Sequence, residues 1–194
     1  MPKGRHMMRT VLSALALLAV ESAALRLPQA NRREMFKFAA GVPAIALPAV
    51  ASAAADSTKK RTNLSPLEMA AAVKADITER QFLVTGQLSR DLYDESCMFK
   101  DEIDTYTLDK WIKGTSALFV GSLSHVDIVG EVEATDAEVR FRFDEVLAFN
   151  FPLIKPKVPL TGTLVLTRGK DGLITDYNEI WDTDVATTLS KAYL

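Results

Sequence analysis

Two spacings of apolar residues divide the last two thirds of this chain: helical intervals from Ser65 to about Phe119, then strict alternation from His125 onward. The segment SPLEMAAAVKADI opens with Ser65 as a cap, Pro66 at the first helical position and Glu68 where a capping-box carboxylate reaches back. Met69, Val73, Ile77 and Val84 then fall roughly on one face, interrupted by Arg80, and Gly86 is expected to end or bend this helix. A shorter helix is predicted over LSRDLYDE, a strand over CMFKDEID, and a third helix over LDKWIKGTSALF, capped by Thr107. Leu108, Trp111, Ile112, Thr115, Leu118 and Phe119 form its buried stripe. HVDIVGEVEA, EVRFRFDEVLAF, PLTGTLVLT and LITDYNEIWD read as four strands. In the second of these, Val139, Phe141, Phe143, Leu147 and Phe149 share one face, with Arg140, Arg142 and Asp144 on the other. The turn RGKDG joins the last two strands, and its Gly169 and Gly172 permit positive φ. Helices followed by a meander of antiparallel strands make the fold class α+β.

Two apolar runs precede that domain. Val11 to Val20 follows Arg9 and ends in Ser22, Ala23 and Ala24, the build of a secretory-type signal over residues 1–24, too short to remain in a bilayer as a spanning helix. The stretch NRREMFK resembles a twin-arginine export signal, with Arg32 and Arg33 paired, Met35 and Phe36 apolar, and Lys37 at the closing basic position. An apolar core from Phe38 to Val50 and the small residues of ASAAAD complete it within residues 25–55. Residues 56–64 then read as a flexible leader and 65–194 as the folded domain. Two signals in series resemble the presequence of thylakoid-lumen proteins in algae with complex plastids, which implies a lumenal mature form that does not span the membrane. A bacterial periplasm is the alternative.

Charge and cysteine count narrow the chemistry. The first 55 residues hold seven Lys/Arg and two acids, so the remainder, with 16 basic and 23 acidic side chains, stands at −7. Nucleic-acid partners are therefore not expected, because backbone recognition needs a basic surface. The single cysteine, Cys97, excludes an internal disulfide, and His125 stands without a second His or Cys to make a metal centre.

LYDESCMFKDEID, a capped helix with its aromatic stripe, and four strands ending in DGLITDYNEIWD together resemble the SnoaL-like members of the nuclear transport factor two superfamily. The resemblance spans roughly Ser65 to Asp184. It implies a cone-shaped, strongly curved antiparallel sheet packed against three N-terminal helices around an internal pocket, and a homodimer as in many relatives. In ketosteroid-isomerase-like members, a catalytic carboxylate occupies the position matching Asp101, which makes Asp101 the candidate base. The pattern departs at Glu102, where a proline is usual, at Ile77, where a hydroxyl donor is usual, and at Thr163, where a second acid is usual. The oxyanion-stabilising half of that mechanism is therefore missing, and a structural role for Asp101 is the competing reading.

Glu145 and Glu179 are the other catalytic candidates, because each interrupts an apolar strand face, Glu145 between Phe143 and Leu147 and Glu179 between Tyr177 and Trp181. A carboxylate facing a greasy interior must be paired or protonated; the bland alternative places each near a strand end or pairs it with Arg140 or Arg142. Tyr93, Phe99, Tyr106, Trp111, Phe141, Phe143, Tyr177 and Trp181 are the candidate lining of a ligand pocket for an apolar pigment or lipid-like molecule, and equally ordinary core. FNFPLIKPKVP is an apolar, basic, proline-rich loop in which Phe149, Phe151, Leu153 and Ile154 either meet a partner, such as a thylakoid membrane complex, or serve an ordinary connection. Two functions are expected: a non-catalytic lumenal accessory that binds an apolar molecule or docks on a photosynthetic complex, or a cofactor-independent isomerase, dehydratase or cyclase. The first is preferred because no complete acid–base pair with its donor can be assembled from sequence.

Overall fold

In a computed structural model, which describes residues 59–194, the first helix starts as its capping box requires. The Glu68 N–H donates to Ser65 Oγ at 3.4 Å, and the Ser65 N–H donates to Glu68 Oε2 at 2.9 Å. This helix, α1 (Pro66–Thr78), buries Met69, Val73 and Ile77 but stops well short of Gly86. Gln81 takes a left-handed φ of 54° and a separate four-residue helix, α2 (Phe82–Thr85), follows it. The break is held by the Gln81 side chain. Its Nε2 donates to the carbonyls of Ile77 and Val126, at 2.9 and 3.0 Å, while its Oε1 accepts the Val126 N–H at 2.7 Å. One amide thus satisfies a helix-end carbonyl and part of a strand end that helical continuation would have left unpaired. Gly86 closes α2 at φ 73°, with the Ile112 carbonyl only 2.8 Å from where a Cβ would stand.

The helix expected over LSRDLYDE is also corrected. Only Arg90–Leu92 turn, as one 3₁₀ turn, and Tyr93 already begins β1 (Tyr93–Lys100). The Asp76 carboxylate anchors the start of this turn by accepting both the Ser89 N–H, at 2.7 Å, and the Ser89 hydroxyl, at 2.8 Å, and it also pairs with Arg80 at 2.5 Å. After a tight turn come β2 (Thr105–Thr107) and α3 (Leu108–Leu118), the latter capped by Thr107 Oγ1, which accepts the Lys110 N–H at 3.4 Å.

The meander is β3 (His125–Ala134), β4 (Glu138–Ala148), β5 (Lys157–Arg168) and β6 (Ile174–Trp181), and a short α4 (Val185–Ser190) closes the chain. Strand order is β2-β1-β6-β5-β4-β3. All neighbours are antiparallel except β1 and β6, which run parallel with Phe99 opposite Tyr177, so the sheet is mixed rather than wholly antiparallel. Helices intervene between β1 and the meander, so the last strand can return beside the first without a hairpin. The fold class is α+β, with α1 packed on β3 and α3 on β1 and β2.

Strand parity is as the alternation predicts: Val139, Phe141, Phe143, Glu145 and Leu147 of β4 face inward, as do Val158, Leu160, Leu164 and Leu166 of β5. The Phe143 ring lies across β5 where Gly162 offers no side chain; a Cβ there would stand 2.7 Å from the ring. Gly172 adopts φ 79° as expected, but Gly169 does not take a positive φ; its missing Cβ instead makes room for Thr175. Arg168 is buried without a carboxylate. Its guanidinium donates to the carbonyls of Gly172 at 3.2 Å, Thr135 at 2.7 Å and Leu64 at 2.5 Å, tying both strand turns at this end to the lead-in of α1.

Candidate functional site

Alternation along β6 puts Tyr177, Glu179 and Trp181 on the inner face, where β1 contributes Phe99 and α3 contributes Trp111. The rings pack upon one another. Phe99 stacks on Tyr177 at 4.5 Å, on Trp111 at 4.7 Å and on Tyr93 at 5.6 Å, and Phe82 meets Trp111 at 5.9 Å between centroids. Phe141 and Phe143 are fully buried in the same interior, while Tyr106 and Trp181 are half-buried at its margin. Of the candidate pocket aromatics, Tyr93, Phe99, Trp111 and Tyr177 thus pack ring against ring. A groove of about 220 Å³ lies elsewhere, between α1 and β3, lined by Leu67, Ala70, Ala71, Lys74, Glu131 and Val132. It contains none of the candidate acids.

Glu179 is 9% exposed, and its two oxygens are separately held: Oε2 accepts the Tyr177 hydroxyl at 2.5 Å and Oε1 accepts the Trp181 indole N–H at 2.6 Å. Burial pushes its pKa up to about 7, the two hydrogen bonds oppose that rise, and the charges of Asp101 and Glu102 add to it. Glu145 is 3% exposed, and its Oε2 is buried with no hydrogen-bond partner. Its pKa stands well above the carboxylate range, first through burial and then through the charges of Glu179 and Asp144. Neither acid pairs with an arginine. Arg142 binds Asp182 through both of its terminal nitrogens, at 2.6 and 3.2 Å, and Arg140 binds Glu138 at 3.3 Å, on the opposite face of β4.

Asp101 has a different occupation. Its Oδ1 accepts the N–H groups of Ile103 and Asp104, each at 2.8 Å, which closes the turn between β1 and β2. Burial raises its pKa against those two bonds, and its charge reaches both Glu179 and Tyr106. Asp101 thus builds this turn. The Tyr106 phenol is held protonated by burial and by Asp101, Asp104 and Glu179, and Lys110 Nζ stands 5.1 Å over its ring. It is a hydroxyl donor in the field of Glu179, the element that could not be assembled from sequence.

Among the described residues no group of three or more His, Cys, Asp and Glu side chains could hold a metal ion. His125 is exposed at the start of β3, and the buried Cys97 thiol is pushed up to about 12 by burial, which leaves it unreactive. In the loop after β4, Phe149 is buried, tilted edge-on against Phe119 at 5.3 Å and stacked with Phe151 at 5.6 Å. The exposed apolar part shrinks to Leu153, fully exposed at a left-handed φ of 69°, and Ile154. Arg32, Arg33 and Lys37 lie outside the described residues. Sequence reasoning missed the buried Asp76 and Arg168, and it missed that Tyr177 and Trp181 donate to the acid between them. The Tyr-x-Glu-x-Trp alternation carried that last signal, because three residues at spacing two share a face.

No family model matches this chain, and no curated protein matches it. Solved structures do. A hypothetical protein with a ketosteroid isomerase-like fold from Catenulispora acidiphila DSM 44928, in complex with trimethylamine, is 16% identical over 66% of this chain and 93% of its own, at a TM-score of 0.45. An NTF2-like protein of unknown function from Exiguobacterium sp. 255-15 is 14% identical over 58% of this chain and 93% of its own, at 0.40. A putative isomerase of the SnoaL-like family from Agrobacterium tumefaciens str. C58 is 16% identical over 61% and 97%, also at 0.40. At TM-scores below 0.5 no residue role and no ligand is carried over from them.

Proposed function

We propose that the domain is a cofactor-independent acid–base catalyst that moves a proton on a small, largely hydrophobic carbonyl substrate. One observation supports this above the rest: Glu179 is buried, oriented by two donors and balanced near pH 7, where a carboxylate can both take and return a proton. Glu179 is then the base, Tyr106 the hydroxyl that steadies negative charge on the carbonyl oxygen, and Asp101 and Glu102 the neighbours whose charges keep Glu179 basic. A bulky pigment would require the stacked rings to part, which weighs against the apolar-pigment expectation.

Deuterium uptake tests this reading. Cyclohexanone incubated with the protein in D₂O should gain deuterium beside its carbonyl, followed by mass spectrometry, with a rate that rises through pH 7. Glu179→Gln should slow uptake by about 10² to 10⁴-fold. Equal rates for wild type and Glu179→Gln would remove the proposal.

Leu153 favours a second reading, an accessory module that docks on a membrane complex. A non-glycine residue at positive φ with a fully exposed apolar side chain carries backbone strain with no packing return inside the domain. In this reading residues 1 to about 55 deliver the protein to the thylakoid lumen, and N-terminal sequencing of native protein should begin near Asp56. A mature form that retains Arg32 and Arg33 would exclude that destination.

A further inference from the structure

Three segments meet at one end of the sheet, where β4 ends and β3 and β5 begin: residues 119–124, 149–157 and 191–194. Hydrogen bonds fix them in place. The Val120 N–H donates to the Ala148 carbonyl at 2.8 Å, the Ala148 N–H to Ser124 Oγ at 2.9 Å, and the Asn150 N–H to the Leu118 carbonyl at the end of α3, at 2.8 Å. Past the end of β6, Tyr193 takes the open edge of β5 and exchanges backbone bonds with Lys157 at 2.7 and 2.9 Å. The loop between β4 and β5 is closed on itself. The Phe149 N–H donates to the Pro156 carbonyl at 2.9 Å, and Lys155 Nζ donates to Asn150 Oδ1 at 2.7 Å and to the Phe151 carbonyl at 2.9 Å. Leu153 is thus held out on a loop pinned at both ends.

What these segments expose is apolar and basic. Leu123, Leu153, Ile154, Tyr193 and Leu194 are half of the large apolar side chains that stand exposed among the described residues. The same segments carry Lys155, Lys157 and Lys191 and no acid, whereas the chain after residue 55 stands at −7. Among the described residues none of these lysines forms an ion pair, and Lys155 and Lys191 reach only neutral oxygens. Lys191 acts on Asp182, but that carboxylate is already bound by Arg142. Apolar tips flanked by unpaired cations suit a bilayer surface with anionic headgroups, where the tips enter the acyl boundary and the ammonium groups stay at the headgroups. A protein partner would need a cavity shaped to Leu153, whereas lipids rearrange around a tip.

We propose that this end of the domain docks on an anionic lipid bilayer, with Leu153 and its apolar neighbours inserted and Lys155, Lys157 and Lys191 at the headgroups. This rests on the docking reading of Leu153 and assigns its contact to lipid; the acid–base reading is not involved.

The experiment reads the contact at single positions, because the apolar runs upstream in the full chain can meet lipid themselves. Cys97 is buried, so a polarity-sensitive thiol label goes to an introduced cysteine. Leu153→Cys and Leu123→Cys report on this end. Leu67→Cys is the control, equally apolar and exposed but at the opposite end, where Arg168 at the close of β5 holds the Leu64 carbonyl. Vesicles of phosphatidylcholine with about one third phosphatidylglycerol should shift the emission of the labels at 153 and 123 to the blue and leave that at 67 unchanged. Phosphatidylcholine alone should need about tenfold more lipid or worse for the same shift, and added salt should weaken binding. Lys157→Gln with Lys191→Gln should weaken the affinity read at 153 by about tenfold or more, and arginine at both positions should preserve it. The assignment is overturned by equal shifts at 67 and 153, by equal affinity for the two vesicle types, by an unchanged affinity in the glutamine variant, or by a shift at 153 that accompanies dimerisation without vesicles, which would give the face to a second copy. Silence at 153 and 123 on vesicles, with a shift on native membranes that retain their proteins, removes the lipid assignment alone; silence on both removes the docking reading as well.

Discussion

Stability of this domain should decline as pH rises from 4.5 to about 7, opposite to the trend set by ordinary salt-bridged carboxylates. Glu179 ionises near 4.5 when free of its surroundings and at about 7 in the fold. Below pH 4.5 both states hold the proton, and the contribution of the site is complete. Between 4.5 and 7 the unfolded chain gives up the proton while the native state keeps it, and stability falls by up to about 1.4 kcal/mol per pH unit. The loss integrates to about 3 kcal/mol above pH 7, a large part of the roughly 5–15 kcal/mol that holds a typical domain together. Glu145, raised by burial and by the charges of Glu179 and Asp144, adds a decline of the same sign. Groups held low by their partners act in another window. Glu95, lowered to about 2 by Arg90 and Lys60, contributes above its unfolded value and loses that contribution only as pH falls below 4.5. Asp182, lowered by Arg142 and Thr161, does likewise below about 4. Urea titrations at pH 4.5, 5.5, 6.5 and 7.5 measure the slope, and the same series on Glu179→Gln isolates the Glu179 share. Parallel curves for the two proteins, or wild-type stability that climbs from 5 to 7.5, would refute the burial argument.

Glu145→Leu should stabilise the fold at pH 8 by about 1–3 kcal/mol, because it replaces a buried oxygen without a partner by apolar volume; a denaturant midpoint that falls would contradict this. Arg168→Met should cost about 2–4 kcal/mol, since three carbonyls at 2.5 to 3.2 Å lose their donor, and Arg168→Lys should recover little because a single ammonium cannot span them. Gly86→Ala should lower the melting temperature through more than about 1 kcal/mol of strain, given φ 73° and the Ile112 carbonyl 2.8 Å away. Leu153→Gly should relieve the positive φ and leave thermal stability equal or higher, whereas a marked drop would show that the Leu153 side chain packs where it stands fully exposed.

What the sequence revealed and what it concealed divide along the range of the interactions involved. The Ser65 capping box, the Thr107 cap and the alternation of β4 are local, each decided within a few residues, and each stands as read. The end of α1 was not legible, because it depends on Gln81 reaching Val126, 45 positions away. The parallel seating of β1 beside β6 was hidden for the same reason: it depends on where the last strand returns. The site follows this division. Parity alone put Glu145 and Glu179 on inward faces, but which acid is a base depends on what surrounds it in three dimensions. Asp101 sits at the end of the strand it follows and spends an oxygen on the turn, so its position marks the site more than its chemistry does. Glu179 is the sixth residue of β6, with an aromatic donor on either side along its own face. A strand that alternates hydroxyl donor, acid and indole donor inward builds a held carboxylate without help from distant residues. The second acid, Glu145, faces inward from β4 on the far side of β5 with Oε2 unmatched, a placement decided by pairing across two strands and not by the residues beside it in the chain.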